Sequence, residues 1–266
     1  MKEDVMLSVC MIVKNEEAVL NSCLHDVSSF ADEIIVVDTG SIDKTREIAL
    51  RYTKNLYNFS WCDDFSAARN FSFSKATGDY IMWLDADDRI DEENCRKINE
   101  WKAHGSGKLI LAGYDRPENG GVYIYPRIVK RDAGFLWKSI IHEHLVPSEG
   151  TEFLENDVQE ADFVIRHSKL GEPDYRRNIA IMEKLSEEEL HESFWLCAQC
   201  YLDCILAGEH KKASRYLTLA EYSSTPFEDR LKDYALINQV LKYRKLYDAL
   251  IQWNAMYLTC KKGVEF

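Results

Sequence analysis

Hydrophobic and polar positions follow two regimes along this chain. The first 105 or so residues alternate short apolar runs with amphipathic stretches, whereas from about residue 173 only helical periodicity remains. Residues 7–13 (Leu-Ser-Val-Cys-Met-Ile-Val) form a near-continuous apolar run, which predicts a strand buried on both faces of a parallel sheet. A helix is predicted to open at Lys14-Asn15-Glu16-Glu17 and to run to about Phe30, with Val19, Leu20, Cys23, Leu24 and Val27 at helical spacing. Residues 33–37 read as a second strand ending in Asp38-Thr39-Gly40-Ser41, and Ser41 or Asp43 can cap a helix reaching about Tyr52. A weaker strand falls near residues 55–57, and a loop and helix start cover residues 61–70. Residues 80–84 (Tyr-Ile-Met-Trp-Leu), preceded by the turn Thr77-Gly78-Asp79, read as a further buried strand. Such alternation predicts an α/β fold with a Rossmann-like, mostly parallel sheet and flanking helices.

The pattern then changes. Residues 108–114 and 122–130 predict a hairpin added to the sheet around the turn Glu118-Asn119-Gly120-Gly121. Residues 161–166 predict a last short strand that ends at His167-Ser168. Amphipathic helices are predicted over residues 174–190, 193–207, 210–222, 227–243 and 246–259. Ala213, Leu217 and Ala220 match Ala249, Trp253 and Met256 at a constant shift, the pattern of helix-turn-helix repeats; a plain helical bundle obeys the same periodicity. The predicted division is an α/β domain over residues 1–172 and an all-α, repeat-like domain over residues 173–266.

Composition narrows the function. The chain has 266 residues, 46% hydrophobic and 29% charged, an ordinary globular mixture. Its formal charge of -12 argues against a nucleic-acid partner, which needs a basic footprint. No apolar run is long enough to span a bilayer, and Met1-Lys2-Glu3-Asp4 lacks the apolar core of an export signal. A cytoplasmic protein with reduced thiols is therefore expected. Cys197, Cys200 and Cys204 share one helical face without a second pair at zinc spacing, so buried packing is favoured over a metal site.

The sharpest chemical signal is Asp85-Ala86-Asp87-Asp88, directly after the apolar run of residues 80–84. In open α/β sheets ligands bind at the carboxyl ends of strands. Carboxylates this close repel one another unless a cation neutralises them, and manganese or magnesium commonly shares such ligands with a substrate's phosphates. The alternative is a solvated acidic loop before a helix capped by Asp91.

Four segments in order resemble the family-2 glycosyltransferases of the GT-A fold. They are residues 8–17 (Ser-Val-Cys-Met-Ile-Val-Lys-Asn-Glu-Glu), residues 31–45 with Asp38-Thr39-Gly40-Ser41 at their centre, Ala67-Ala68-Arg69-Asn70, and residues 78–88. The resemblance covers roughly residues 7–170. Pro126-Arg127-Ile128, Trp137, Ile141-His142-Glu143 and Arg166-His167-Ser168 look like a subgroup that carries tetratricopeptide-like helices. That subgroup includes the sublancin-type enzymes, which glycosylate peptide cysteines.

The resemblance implies an inverting transfer from a nucleotide-diphosphate sugar, most simply a UDP-sugar, to a peptide, protein or glycan acceptor. Val13 and Glu16 would line the nucleoside pocket, with Asp38 on the base or ribose; Thr39 stands where many members carry a second Asp. Arg69 would reach the nucleotide. Asp85 would approach the ribose or a metal-bound water, Ala86 would line the nucleotide-sugar site, and Asp87 and His167 would hold Mn2+ or Mg2+. Glu143 is the candidate general base. His142-Glu143-His144 departs from a zincin helix, which needs His-Glu-x-x-His. Trp137 could stack on a sugar or serve as a core or rim aromatic, and Arg127 could meet a phosphate or an acidic neighbour. Two other classes compete. A nucleotidyltransferase would need a glycine-rich phosphate loop, and residues 13–16 contain no glycine. A non-catalytic interaction protein would use the helical repeats as its working surface and retain a degenerate enzyme domain.

Overall fold

A computed structural model describes residues 4–152, 154–168, 170–171 and 174–264. The boundary expected at residues 172 and 173 falls outside the described residues. By proximity the chain forms two compact units. One comprises residues 1–117, 121–139 and 143–171, and the other residues 118–120, 140–142 and 172–266.

The first unit is built on the apolar runs. Among the described residues its sheet has eight strands: β1 (Leu7–Val13), β2 (Glu33–Asp38), β3 (Leu56–Asn58), β4 (Tyr80–Trp83), β5 (Asp88–Arg89), β6 (Leu109–Arg116), β7 (Gly121–Lys130) and β10 (Val158–His167). Their order is β3-β2-β1-β4-β7-β6-β10-β5. Pairing is parallel from β3 to β4 and between β6 and β10. It is antiparallel where β7 joins β4 and β6, and where β5 joins β10. The hairpin β6–β7 thus lies inside the sheet, as β10 and β5 extend it further. A separate antiparallel pair consists of β8 (Phe135–Lys138) and β9 (His144–Pro147).

The two-residue period of strands explains why the runs lack polar alternation. Leu7, Val9, Met11, Ile34, Val36, Tyr80 and Met82 enter one core cluster. Cys10, Ile35, Val37 and Ile81, from the intervening positions, enter another on the opposite face. Helices α1 (Leu20–Val27), α2 (Thr45–Ala49), α3 (Phe65–Phe73) and α4 (Glu92–His104) complete this unit. Asp64 and Asp91 cap α3 and α4 by accepting from backbone amides.

Two helices are shorter than their periodicity predicts. Asn15 adopts a left-handed φ of 55°, and the amides of Asn15, Glu16 and Glu17 donate to Ser41, Thr45 and Asp43. Those donors are committed to the loop after β2, so α1 starts only at Leu20. The same loop consumes Ser41, and neither it nor Asp43 caps α2: Asp43 accepts from the Thr45 amide at 3.0 Å, but the N-cap position is Lys44, which makes no side-chain cap hydrogen bond.

The second unit contains α5 (Tyr175–Met182), α6 (Glu187–Glu192), α7 (Phe194–Leu206), α8 (His210–Glu221), α9 (Leu231–Tyr243) and α10 (Tyr247–Val264). The single helix expected over 174–190 is two, because Ser186 and Glu189 form a capping box that starts α6. The signal, Ser186-Glu187-Glu188-Glu189, is visible in the sequence. The core holds Trp253, fully buried and stacked on Tyr201 and Tyr234. In α8 the large buried residue is Tyr216, not Leu217, so the two repeat-like segments do not bury the same positions. Cys197, Cys200 and Cys204 are buried free thiols, as packing predicts. Burial pushes Cys197 and Cys204 up to about 12, which disfavours the thiolate a metal would need. Among the described residues no helix is long and apolar enough to cross a membrane.

Candidate active site

Parallel pairing brings the carboxyl ends of β2, β1 and β4 to one edge of the sheet, with Val13 opposite Asp38 in register. Val13 is buried, and its carbonyl accepts from both the amide and the hydroxyl of Thr39. Thr39 therefore fastens β2 to β1. Asp38 is 4% exposed, accepts from the Ser41 amide and pairs with Arg46 at 2.9 Å. Glu16 is half-buried beside this loop, and Ala86 is buried just past β4.

Arg69, on α3, is the centre of the site. Its Nη2 donates to Asp85 at 2.8 Å, and its Nε donates to Glu143 at 2.6 Å. Its guanidinium also lies 4.8 Å from the ring centre of Trp83 and 4.9 Å from that of Trp137. Burial would lower the pKa of Arg69, but the two carboxylates outweigh it and raise the value. Asp85 is the reciprocal case: burial works to raise its pKa, yet Arg69 beside it holds the carboxyl low. Both charges are thus fixed at ordinary pH.

Trp137 is 4% exposed and meets Trp83 edge-on at 5.1 Å. Asn70 holds it by exchanging two hydrogen bonds with its backbone. It occupies a core position under Arg69. Arg127 is wholly buried between the rings of Trp83 and Tyr114, 3.8 Å from each centre. Its neighbour there is the Asp88 carboxylate at 3.5 Å.

The short strand β5 explains how His167 arrives. It pairs with β10 and sets His167 opposite Asp88. The Ser168 amide then donates to the Asp87 carbonyl. His167 Nδ1 lies 3.3 Å from Asp88 and 3.5 Å from Asp87. Asp87, Asp88 and His167 offer ligand atoms all within 4.8 Å of one another. Burial would lower the His167 pKa, but the Asp88 hydrogen bond and the Asp87 charge raise it above its usual value. An imidazole with carboxylates suits manganese and is tolerable for magnesium, so the donor chemistry fits such an ion.

The structure therefore assembles Arg69, Asp85, Glu143 and Trp137 into one cluster and Asp87 and His167 into another. Val13 and Asp38 form a third group at the ends of β1 and β2. Of the two partners open to Arg127 in the sequence, the structure gives it the acidic one, Asp88, whereas Tyr114 and the pairing of β5 with β10 were not legible as parts of the site. A tyrosine in an apolar strand carries no signal beyond burial, and β5 is too short and polar to be read as a strand.

A model described as glycosyl transferase family 2 matches residues 8–154. Over 84 residues the chain is 49% identical to a TPR repeat-containing protein of Synechococcus elongatus, covering 32% of this chain and 21% of that protein. Over 106 residues it is 36% identical to the SPbeta prophage-derived glycosyltransferase SunS of Bacillus subtilis, covering 36% of this chain and 24% of SunS. Each match thus spans about a quarter or less of the relative's length. Among solved structures, S. aureus TarS 1–349 in complex with UDP-GlcNAc has a similar fold. It has a TM-score of 0.52 at 14% identity, covering 97% of this chain and 92% of that one.

Proposed function

The chain belongs to glycosyl transferase family 2, and from that premise we propose that it moves a sugar, with inversion and with a divalent metal, from a UDP-sugar to a nucleophilic acceptor. The observation that carries the reading is the Arg69 bridge between Asp85 and Glu143, beside the Asp87–His167 pair. Residues 1–172 would act as the GT-A donor domain and residues 173–266 as a helical domain.

Asp38, Val13 and Glu16 would receive the nucleoside at the ends of β1 and β2. Asp87 and His167 would hold Mn2+ or Mg2+, which supplies Lewis-acid stabilisation of the leaving diphosphate. Arg69 would keep Asp85 ionised and oriented toward the sugar nucleotide. Its Nε holds Glu143 through Oε1, so that Oε2 would take the acceptor's proton as the bond to the anomeric carbon forms. Trp83 and Trp137 flank the Arg69 guanidinium and limit water around it, which strengthens the ion pairs. The acceptor is a peptide or protein in this reading, since helical arrays form extended binding surfaces.

Calorimetry with UDP, and with GDP as control, with and without Mn2+, tests the donor site. Metal-dependent UDP binding that disappears in Asp87→Asn is expected. A folded protein that binds neither nucleotide would turn the reading to the interaction protein. Transfer assays on cysteine-, serine- and glycan-bearing acceptors then sort the acceptor class.

A further inference from the structure

Asp88 differs from the other two carboxylates of its motif. It is wholly buried, and both of its oxygens are engaged from inside the protein. Oδ2 accepts from the Asp85 amide at 3.0 Å and faces Arg127 at 3.5 Å. Oδ1 accepts from the Tyr114 hydroxyl at 2.9 Å. The same phenolic oxygen lies 2.9 Å from His167 Nδ1.

The proton count fixes the direction of this chain. An ionised carboxylate only accepts, and a tyrosine hydroxyl has one proton to give. Once Tyr114 donates to Asp88, its oxygen meets Nδ1 as an acceptor. Among the described residues Nδ1 also faces Asp88 Oδ1 at 3.3 Å and Asp87 Oδ1 at 3.5 Å, again acceptors. Three oxygens thus surround Nδ1, and it must carry a hydrogen. A neutral imidazole with Nδ1–H keeps its lone pair on Nε2.

We infer that Asp88 and Tyr114 are positioning residues, a buried relay that fixes His167 as the Nδ1–H tautomer so that it meets a cation through Nε2. Asp88 is then a supporting carboxylate and not a metal ligand, the arrangement that orients histidines in metal sites generally. Arg127, clamped between Trp83 and Tyr114, offsets the Asp88 charge where water cannot. The inference rests on the metal reading above for its purpose, but the tautomer is a property of the metal-free protein.

The test is nitrogen-15 NMR of the histidine-labelled, metal-free chain, recorded at rising pH until His167 is neutral. Mn2+ affinity is measured in parallel by EPR of the free ion. The wild type is expected to show Nδ1–H. Tyr114→Phe and Asp88→Asn are expected to shift the population toward Nε2–H and to weaken Mn2+ about 10- to 100-fold. Circular dichroism checks the fold, and Tyr114→Phe carries the test alone should Asp88→Asn not fold. An Nε2–H wild type overturns the relay, and so does an unchanged tautomer in both variants. Nδ1–H together with no Mn2+ binding would sink the metal reading and leave the relay standing.

Discussion

Arg69 is 7% exposed and holds two carboxylates, one from the end of β4 and one from the segment before β9. A buried cation between two anions is costly to remove from one side, because the partners are left uncompensated. Arg69→Met is therefore expected to destabilise the protein by about 3–5 kcal/mol, read as a lower urea midpoint. Arg69→Lys should cost less, since the charge stays while the two-pronged geometry is lost. Glu143 allows a cleaner separation of roles. Glu143→Gln keeps the shape and a hydrogen-bonding oxygen for Arg69 but cannot take a proton. Turnover should fall roughly 10²- to 10⁴-fold while UDP affinity measured by calorimetry stays within a small factor. Equal loss of both quantities would assign Glu143 to binding instead of proton transfer.

At the scale of elements, the strands are set by apolar runs and their spacing by small residues. Gly78 shows the second point. A Cβ there would lie 2.7 Å from the Ser8 hydroxyl and 2.8 Å from the Met6 carbonyl, so glycine is what lets the turn before β4 close on β1. In the second unit the element of interest is α9. Asp233 lies in its first turn, and burial pushes its carboxyl up to about 6 from the usual 3.8. The folded protein therefore holds this proton across a pH range where the unfolded chain has released it. Stability from this group falls as pH rises from about 4 to about 6, and the penalty is fully present above that window. Asp233→Asn should raise stability by about 1–2 kcal/mol near neutral pH and change little below about pH 4. Urea midpoints on both sides of the window check this.

For the whole molecule, a ligand that binds only the folded state stabilises it by mass action. Mn2+ with UDP at about 100 times its dissociation constant would contribute about 2.7 kcal/mol. The thermal midpoint should then rise by roughly 5–10 °C, and EDTA should reverse most of the gain. A rise with UDP that ignores EDTA would contradict the metal's role. The sequence alone determined β1, β2 and β4, the acidic motif at the end of β4 and the helical character beyond residue 173. Each is encoded locally, as an apolar run, a periodicity or a string of adjacent residues. Sequence order also placed Arg69, Glu143 and His167 among the candidates through the resemblance they carry. What they touch was decided only by tertiary structure. Arg69 and Glu143 are 74 residues apart, and Asp88 and His167 are 79 apart. Their contacts depend on which strands are neighbours and in what register, and β5 exists as a strand only because β10 pairs with it. Trp137 was open between a sugar platform and a core position, and packing against Trp83 and Phe73 placed it in the core. Local patterns report which side of an element is buried, whereas long-range polar contacts follow from sheet order and register, which no single segment contains.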